Sequence, residues 1–98
     1  MLEDKSILIT GGTGSLGTAL TRRILKEYPN VKRVVIFSRD EQKQFQMAQE
    51  FPENKYPIRY FIGDIRDFNR LKRALKNIDY VVHTAAMKHV HIAEYNPM

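Results

Sequence analysis

Four of the five glycines in this chain fall within one short stretch, Thr10-Gly11-Gly12-Thr13-Gly14-Ser15-Leu16-Gly17. Glycine is used where a chain must turn sharply or where something bulky has to approach bare backbone. The stretch reads as G-x-G-x-x-G through Gly12, Gly14 and Gly17, and as T-G-x-x-G-x-x-G through Gly11, Gly14 and Gly17. An apolar run, Ser6–Thr10, precedes it and a helical pattern follows, so the glycines sit where a strand turns into a helix. In that context they make an anion cradle. An early glycine permits the turn, Gly14 lets backbone amides approach a pyrophosphate, and Gly17 lets the helix pack on the strand. Unpaired amides and the positive end of the helix dipole would stabilise the phosphates. The plainer alternative is a structural turn that holds no ligand.

The second apolar run ends in "FSRDEQK". At this point an NAD site usually carries a carboxylate for the adenine ribose hydroxyls, whereas an NADP site uses arginine. Here Ser38 takes the carboxylate's usual place and Arg39 follows it. A guanidinium can form a charge-assisted fork on a ribose 2′-phosphate, with Ser38 donating its hydroxyl and Lys43 adding charge one turn later. Asp40 can serve NAD or cap the following helix. NADP is therefore expected ahead of NAD, the alternative for Arg39 being a solvated ion pair.

Three more positions belong to the same end of the strands. Gly63-Asp64-Ile65 follows the third run, where Asp64 can accept from an adenine amino group, Ile65 can pack on the ring, or Asp64 can simply cap a turn. Thr84-Ala85-Ala86 ends the fourth run with small residues that leave room for a ribose and nicotinamide, and Lys88 is placed for phosphate or ribose oxygens. His89 and His91 form an H-x-H pair without a cysteine or carboxylate cluster, so no metal site is expected. His83, within an apolar run, is expected to be a satisfied core histidine.

Oxidoreductase chemistry beside a nicotinamide needs a proton donor or acceptor, commonly a tyrosine activated by a lysine one helical turn on. The sequence has one Tyr-x-x-x-Lys, Tyr28 and Lys32, and Pro29-Asn30 breaks the helix between them. The pair also lies at the far end of the first helix from the glycines. The chain is expected to hold a cofactor and no catalytic residue.

These residues need a scaffold, and the periodicity supplies one. A helix is expected from about Ser15 to Tyr28, with Leu16, Ala19, Leu20, Ile24 and Leu25 on one stripe. Strands are expected at Ser6–Thr10, Arg33–Ser38, Arg59–Ile62 and Tyr80–Thr84. A second helix, about Glu41–Glu50, carries Phe45 and Ala48, and a third, capped by Asp67, runs to about Lys76 with Phe68, Leu71 and Leu75 on one face. Strict alternation of strand and helix implies parallel pairing through right-handed crossovers. Runs such as "SILIT" and "RVVIF" are apolar at consecutive positions, as in strands covered on both faces. The expected fold is α/β, a Rossmann-like doubly wound parallel sheet in the order 3-2-1-4, truncated after about four strands. The fourth strand would be left with an open edge, so residues 1–98 are expected to be the N-terminal part of a larger NAD(P)-binding domain.

Composition narrows the class. At 43% hydrophobic and 28% charged residues the chain is that of an ordinary globular protein. No apolar stretch approaches the ~20 residues of a membrane span, and the first residues lack the basic start and apolar core of a signal peptide. With no cysteine there is no disulfide, which suits the cytoplasm. The net charge of +5 is spread over Arg22-Arg23, Lys32-Arg33, Lys72-Arg73 and Lys76 rather than gathered in one run, so neither nucleic acid nor membrane is expected as a partner.

The segments "GGTGSLG", "FSRDEQKQFQMAQEF", "YFIGDIRD" and "AAMKHVHIAEYNP" together closely resemble the N-terminal portion of extended short-chain dehydrogenase/reductases acting on nucleotide sugars. The match is to the inverting UDP-N-acetylglucosamine 4,6-dehydratases of surface-glycan pathways. That resemblance implies NADP contacts from Thr13, Gly14, Ser15, Leu16, Ser38, Arg39, Asp40, Glu41, Gln42, Lys43, Asp64, Ile65, Thr84 and Lys88, with Lys88 also reaching substrate. It implies hydride removal from sugar C4, loss of water across C5–C6, and hydride return to C6 with inversion at C5. The catalytic groups would lie beyond Met98, the substrate would be a UDP-sugar, and the full enzyme would be a homo-oligomer. Met87 and His91 stand where leucine and proline are usual. Capsule-type UDP-sugar 4-epimerases share much of this half, and a non-catalytic nucleotide-sensing domain is the reading from another class.

Overall fold

The computed structural model describes residues 2–11, 13–84 and 91–94. Five strands form one sheet in the order β3-β2-β1-β4-β5. In chain order the elements are β1 (Ser6–Thr10), α1 (Ser15–Glu27), β2 (Arg33–Ser38), α2 (Glu41–Glu50), β3 (Ile58–Ile62), α3 (Phe68–Ala74), β4 (Tyr80–His83) and β5 (His91–Glu94). The first four strands are parallel in the expected order, with Leu8 opposite Val35 on one side and Val81 on the other. Ser38 pairs with Ile62, so β2 and β3 end level.

Consecutive apolar residues serve two cores because alternate side chains point to opposite faces. Ile7, Ile9, Val34, Ile36 and Val82 face Ile24 of α1 and Met47 of α2. Leu8, Val35, Phe37 and Val81 face Ala74 at the end of α3 and Ile78 in the segment that leads to β4. This is the two-sided cover that the unbroken runs imply.

The fifth strand departs from the expected open edge. β5 runs antiparallel to β4, with Val81 opposite Ala93. An unpaired strand edge presents a row of free amides and carbonyls. Residues 84–90 are too few for a parallel crossover, which takes a dozen or more, so the returning segment pairs antiparallel.

The helices are rotated relative to their apolar pattern. On α1 the sheet buries Gly17, Thr21 and Ile24, while Leu20 and Leu25 pack at the margin and Leu16 and Ala19 are exposed. Within that buried row Thr21 satisfies its hydroxyl on Gly17 O at 2.9 Å. On α2 the buried residues are Gln44 and Met47, whereas Phe45 is 68% exposed and Ala48 half-buried. On α3 Ala74 is buried, Leu71 and Leu75 pack at the edge, and Phe68 is 82% exposed.

Candidate functional site

The C-terminal ends of β1, β2, β3 and β4 lie along one edge of the sheet, and Gly11 opens the turn after β1 there. Gly11 has φ 66°, a left-handed conformation that glycine adopts without strain. Its N–H donates to Phe37 O at 3.0 Å, continuing the sheet ladder, and its carbonyl accepts from Gly14 N at 3.1 Å. Thr84 closes the turn from the other side, its hydroxyl donating to Thr10 O at 2.7 Å and Gly11 O at 3.0 Å.

Gly14 is a different case. It is the N-cap of α1 with φ −71° and ψ 173°, which any residue can adopt. Among the described residues, a Cβ there would meet only Gly11 O, at 3.5 Å, an ordinary contact. Neither its conformation nor packing against the described residues calls for a glycine. The first turn of α1 leaves the amides of Ser15, Leu16 and Gly17 without helical carbonyls, and no side chain caps it. α2 and α3 differ: Asp40 accepts from Lys43 N at 2.9 Å and Asp67 from Arg70 N at 3.2 Å. Of the two roles open to Asp40, the structure displays the cap.

Thr13, Ser38, Arg39, Asp40 and Glu41 line one open cleft of about 510 Å³. The fold thus brings part of the glycine turn together with the end of β2. Gln42 and Lys43 continue into α2 and are exposed. Ser38 is buried except at this cleft, while the Arg39 side chain is 73% exposed. Across from it stands Asp64, whose Oδ2 lies 3.6 Å from Arg39 Nη1 and 2.7 Å from Arg66 Nη2. Hydrogen bonds from the Arg66 guanidinium and backbone N–H, aided by Arg39, hold the Asp64 carboxyl well below the usual carboxylate range. Asp64 is therefore engaged by two arginines in this state, and Ile65 beside it is 46% exposed.

His83 corrects an expectation. It is exposed rather than buried, because it closes β4 at the rim, and its Nδ1 lies 2.8 Å from Thr10 Oγ1. Ala85, Ala86, Lys88, Met87 and His89 lie outside the described residues, as does Gly12. Tyr28 is the C-cap of α1 and Lys32 lies beyond it, at the end of the helix remote from Gly14. Tyr60 offers no base either: its hydroxyl donates to Phe51 O at 2.6 Å, and burial pushes it up to about 12.

Gln44 was not marked by motif. It is only 4% exposed, and its Nε2 lies 3.0 Å from Ser38 Oγ, 3.0 Å from Phe61 O and 3.4 Å from Ser38 O. The available signal was a glutamine three residues before Met47, on the row that the sheet buries.

The chain is 57% identical to a Campylobacter jejuni protein named UDP-N-acetylglucosamine 4,6-dehydratase (inverting), over the whole chain and 28% of that relative. It is 46% identical to a UDP-glucose 4-epimerase of Rickettsia bellii, again over the whole chain and 29% of the relative. Among solved structures, Pen from Bacillus thuringiensis superposes with a TM-score of 0.78 at 47% identity, over 91% of this chain and 26% of Pen. A short chain dehydrogenase from Bacillus anthracis, 24% identical, shares the fold with a TM-score of 0.72 over 87% of this chain and 36% of that one. The chain thus spans under a third of the curated relatives it matches. No described helix is long and apolar enough to cross a membrane. The family model for polysaccharide biosynthesis proteins matches residues 7–98, and the chain belongs to that family.

Proposed function

We propose that this chain is the NADP-binding part of a nucleotide-sugar 4,6-dehydratase acting on a UDP-N-acetylhexosamine. The observation that carries the reading is Gly14. A glycine that needs neither its φ nor its missing Cβ for packing against the described residues is explained by a ligand approaching the α1 N-terminus. The bared amides of Ser15, Leu16 and Gly17 suit a diphosphate there. Ser38 and Arg39 in the adjoining cleft suit a ribose 2′-phosphate, and the carboxylate nearest the end of β2, Asp40, is engaged as the cap of α2 on Lys43 N.

In this reading Gly11 sets the turn and Thr84 ties it to β4. Asp64 and Ile65 flank the adenine, and Lys88 reaches phosphate or substrate. When bound, the nicotinamide would take hydride from the sugar and return it. The residues that move protons on the sugar would belong to the part of the protein outside residues 1–98, as would most of the substrate contacts. The name and 57% identity of the Campylobacter jejuni relative support dehydration of a UDP-sugar. The Rickettsia bellii relative supports a second reading, 4-epimerisation of a UDP-sugar. Residues 1–98 would then be the N-terminal part of a cytoplasmic enzyme.

Calorimetric titration of the protein with NADP and NAD tests the cofactor reading. NADP should bind more tightly, and Arg39→Asp should remove that preference. A preference untouched by the substitution refutes the assignment. A 4-keto-6-deoxy product from UDP-N-acetylglucosamine supports the dehydratase, and a C4 epimer supports the alternative.

A further inference from the structure

Gln44 is a buried polar side chain whose hydrogen bonds fix the direction of another group's proton. Two of the atoms facing its Nε2, Phe61 O and Ser38 O, are main-chain carbonyls, which only accept. The amide NH2, not the amide oxygen, must therefore face this corner. Its two protons have their best acceptors in Phe61 O and Ser38 Oγ, each at 3.0 Å. The Ser38 oxygen is thus an acceptor towards Gln44, and its single proton is left to point elsewhere. Ser38 lines the cleft beside Arg39.

We infer that Gln44 is a specificity-positioning residue: by occupying the Ser38 oxygen from behind, it turns the serine proton into the cleft as a donor for a ribose-bound phosphate. The inference rests on the NADP reading above and adds to it the residue that sets the polarity of the site. A phosphate only accepts, so a hydroxyl fixed as a donor favours it. A hydrogen bond to a charged group is also stronger than one to a neutral ribose hydroxyl. The same amide joins the ends of β2 and β3, which keeps Ser38 in register with the Asp64 turn.

Adenosine 2′,5′-bisphosphate and adenosine 5′-monophosphate differ only in the 2′-phosphate, and calorimetric titration of the purified protein with each isolates that contact. Gln44→Glu places a carboxylate that cannot donate to Ser38, so the serine proton turns inward. Bisphosphate affinity should fall roughly tenfold, while monophosphate affinity changes by less than about twofold. Ser38→Ala should cause the same selective loss, and the double variant should lose no more than either single one. Gln44→Met, neutral and of similar length, should move the ratio in the same direction if the glutamate variant fails to fold. Equal losses for both ligands, or additive losses in the double variant, would overturn the inference. An unchanged ratio in Ser38→Ala would do so whatever the Gln44 variants show. A ratio unchanged by Arg39→Asp points to failure of the NADP reading itself. A ratio that responds to Arg39 and not to Gln44 sinks this inference alone.

Discussion

Arg39 Nη1 lies 3.6 Å from Asp64 Oδ2, linking the turn after β2 to the turn after β3. Asp64 is held more closely by Arg66, whose Nε and Nη2 both reach the carboxylate, at 3.1 and 2.7 Å. Arg39 is therefore the looser partner and the more readily released to a ligand. Exposed pairs of this kind contribute little to stability and are screened by salt. The depressed Asp64 pKa means that its pairing is intact above the ordinary carboxylate value and lost only as pH falls well below it.

Nucleotide binding should carry the same signature of exposure. Raising salt from about 0.05 to about 0.5 M should weaken NADP severalfold and NAD less, because only the former adds the Arg39 contact to those of the shared diphosphate. Titration in a salt series checks this. Parallel salt dependence for the two nucleotides would place the charge contact elsewhere.

The two turn glycines should respond in opposite ways to alanine. Gly11→Ala puts a Cβ on a left-handed backbone and should cost about 1–2 kcal/mol of stability. Among the described residues Gly14→Ala meets only an ordinary contact, and it should stay within about 0.5 kcal/mol of the parent. It should nevertheless lose tenfold or more in nucleotide affinity, since the methyl group occupies the space of the diphosphate. Denaturation and binding measured on both variants separate the effects, and a Gly14→Ala protein that binds normally would remove the support this glycine gives to the functional reading.

Gly63 is a matter of space. A Cβ there would lie 2.7 Å from Phe37 Cζ and 2.7 Å from Arg70 Cγ. Phe37 is fully buried and cannot yield, while Arg70 is held with its guanidinium over the Phe61 ring and its Nε on Ile62 O. Gly63→Ala should destabilise by about 1–3 kcal/mol, read as a lower midpoint in urea with an unchanged slope.

Tyr60 should show itself on the alkaline side. Its folded value of about 12 exceeds the ordinary 10, so its contribution is complete below pH 10 and is lost as pH rises from 10 towards 12. Tyr60→Phe removes the bond to Phe51 O and should cost about 1 kcal/mol at neutral pH. Its stability should then fall less steeply above pH 10, and an equally steep fall would assign the alkaline loss to other groups.

Local order was legible in the sequence because it depends on neighbours in the chain. The strand at Ser6–Thr10, the turn at Gly11 and the cap at Asp67 follow from patterns only a few residues long, and the order of the four parallel strands follows from the alternation of strand and helix along the chain. Those same patterns placed Thr13 and Ser38 through Glu41 at one end of the sheet. Helix rotation was not legible: Phe45 and Phe68 are apolar yet exposed, because the sheet plane decides which row a helix buries, and on α2 it chose Gln44 and Met47. Nor was β5, whose pairing depends on an edge that exists only once β4 is laid beside β1. The sequence alone therefore determined which groups are available for binding, since charge, donor type and backbone freedom belong to each residue. Only the tertiary structure decided which way their hydrogen bonds point. The direction of the Ser38 proton is set by Gln44 and Phe61, from different elements, and such distant carbonyls and amides meet only after the chain has folded.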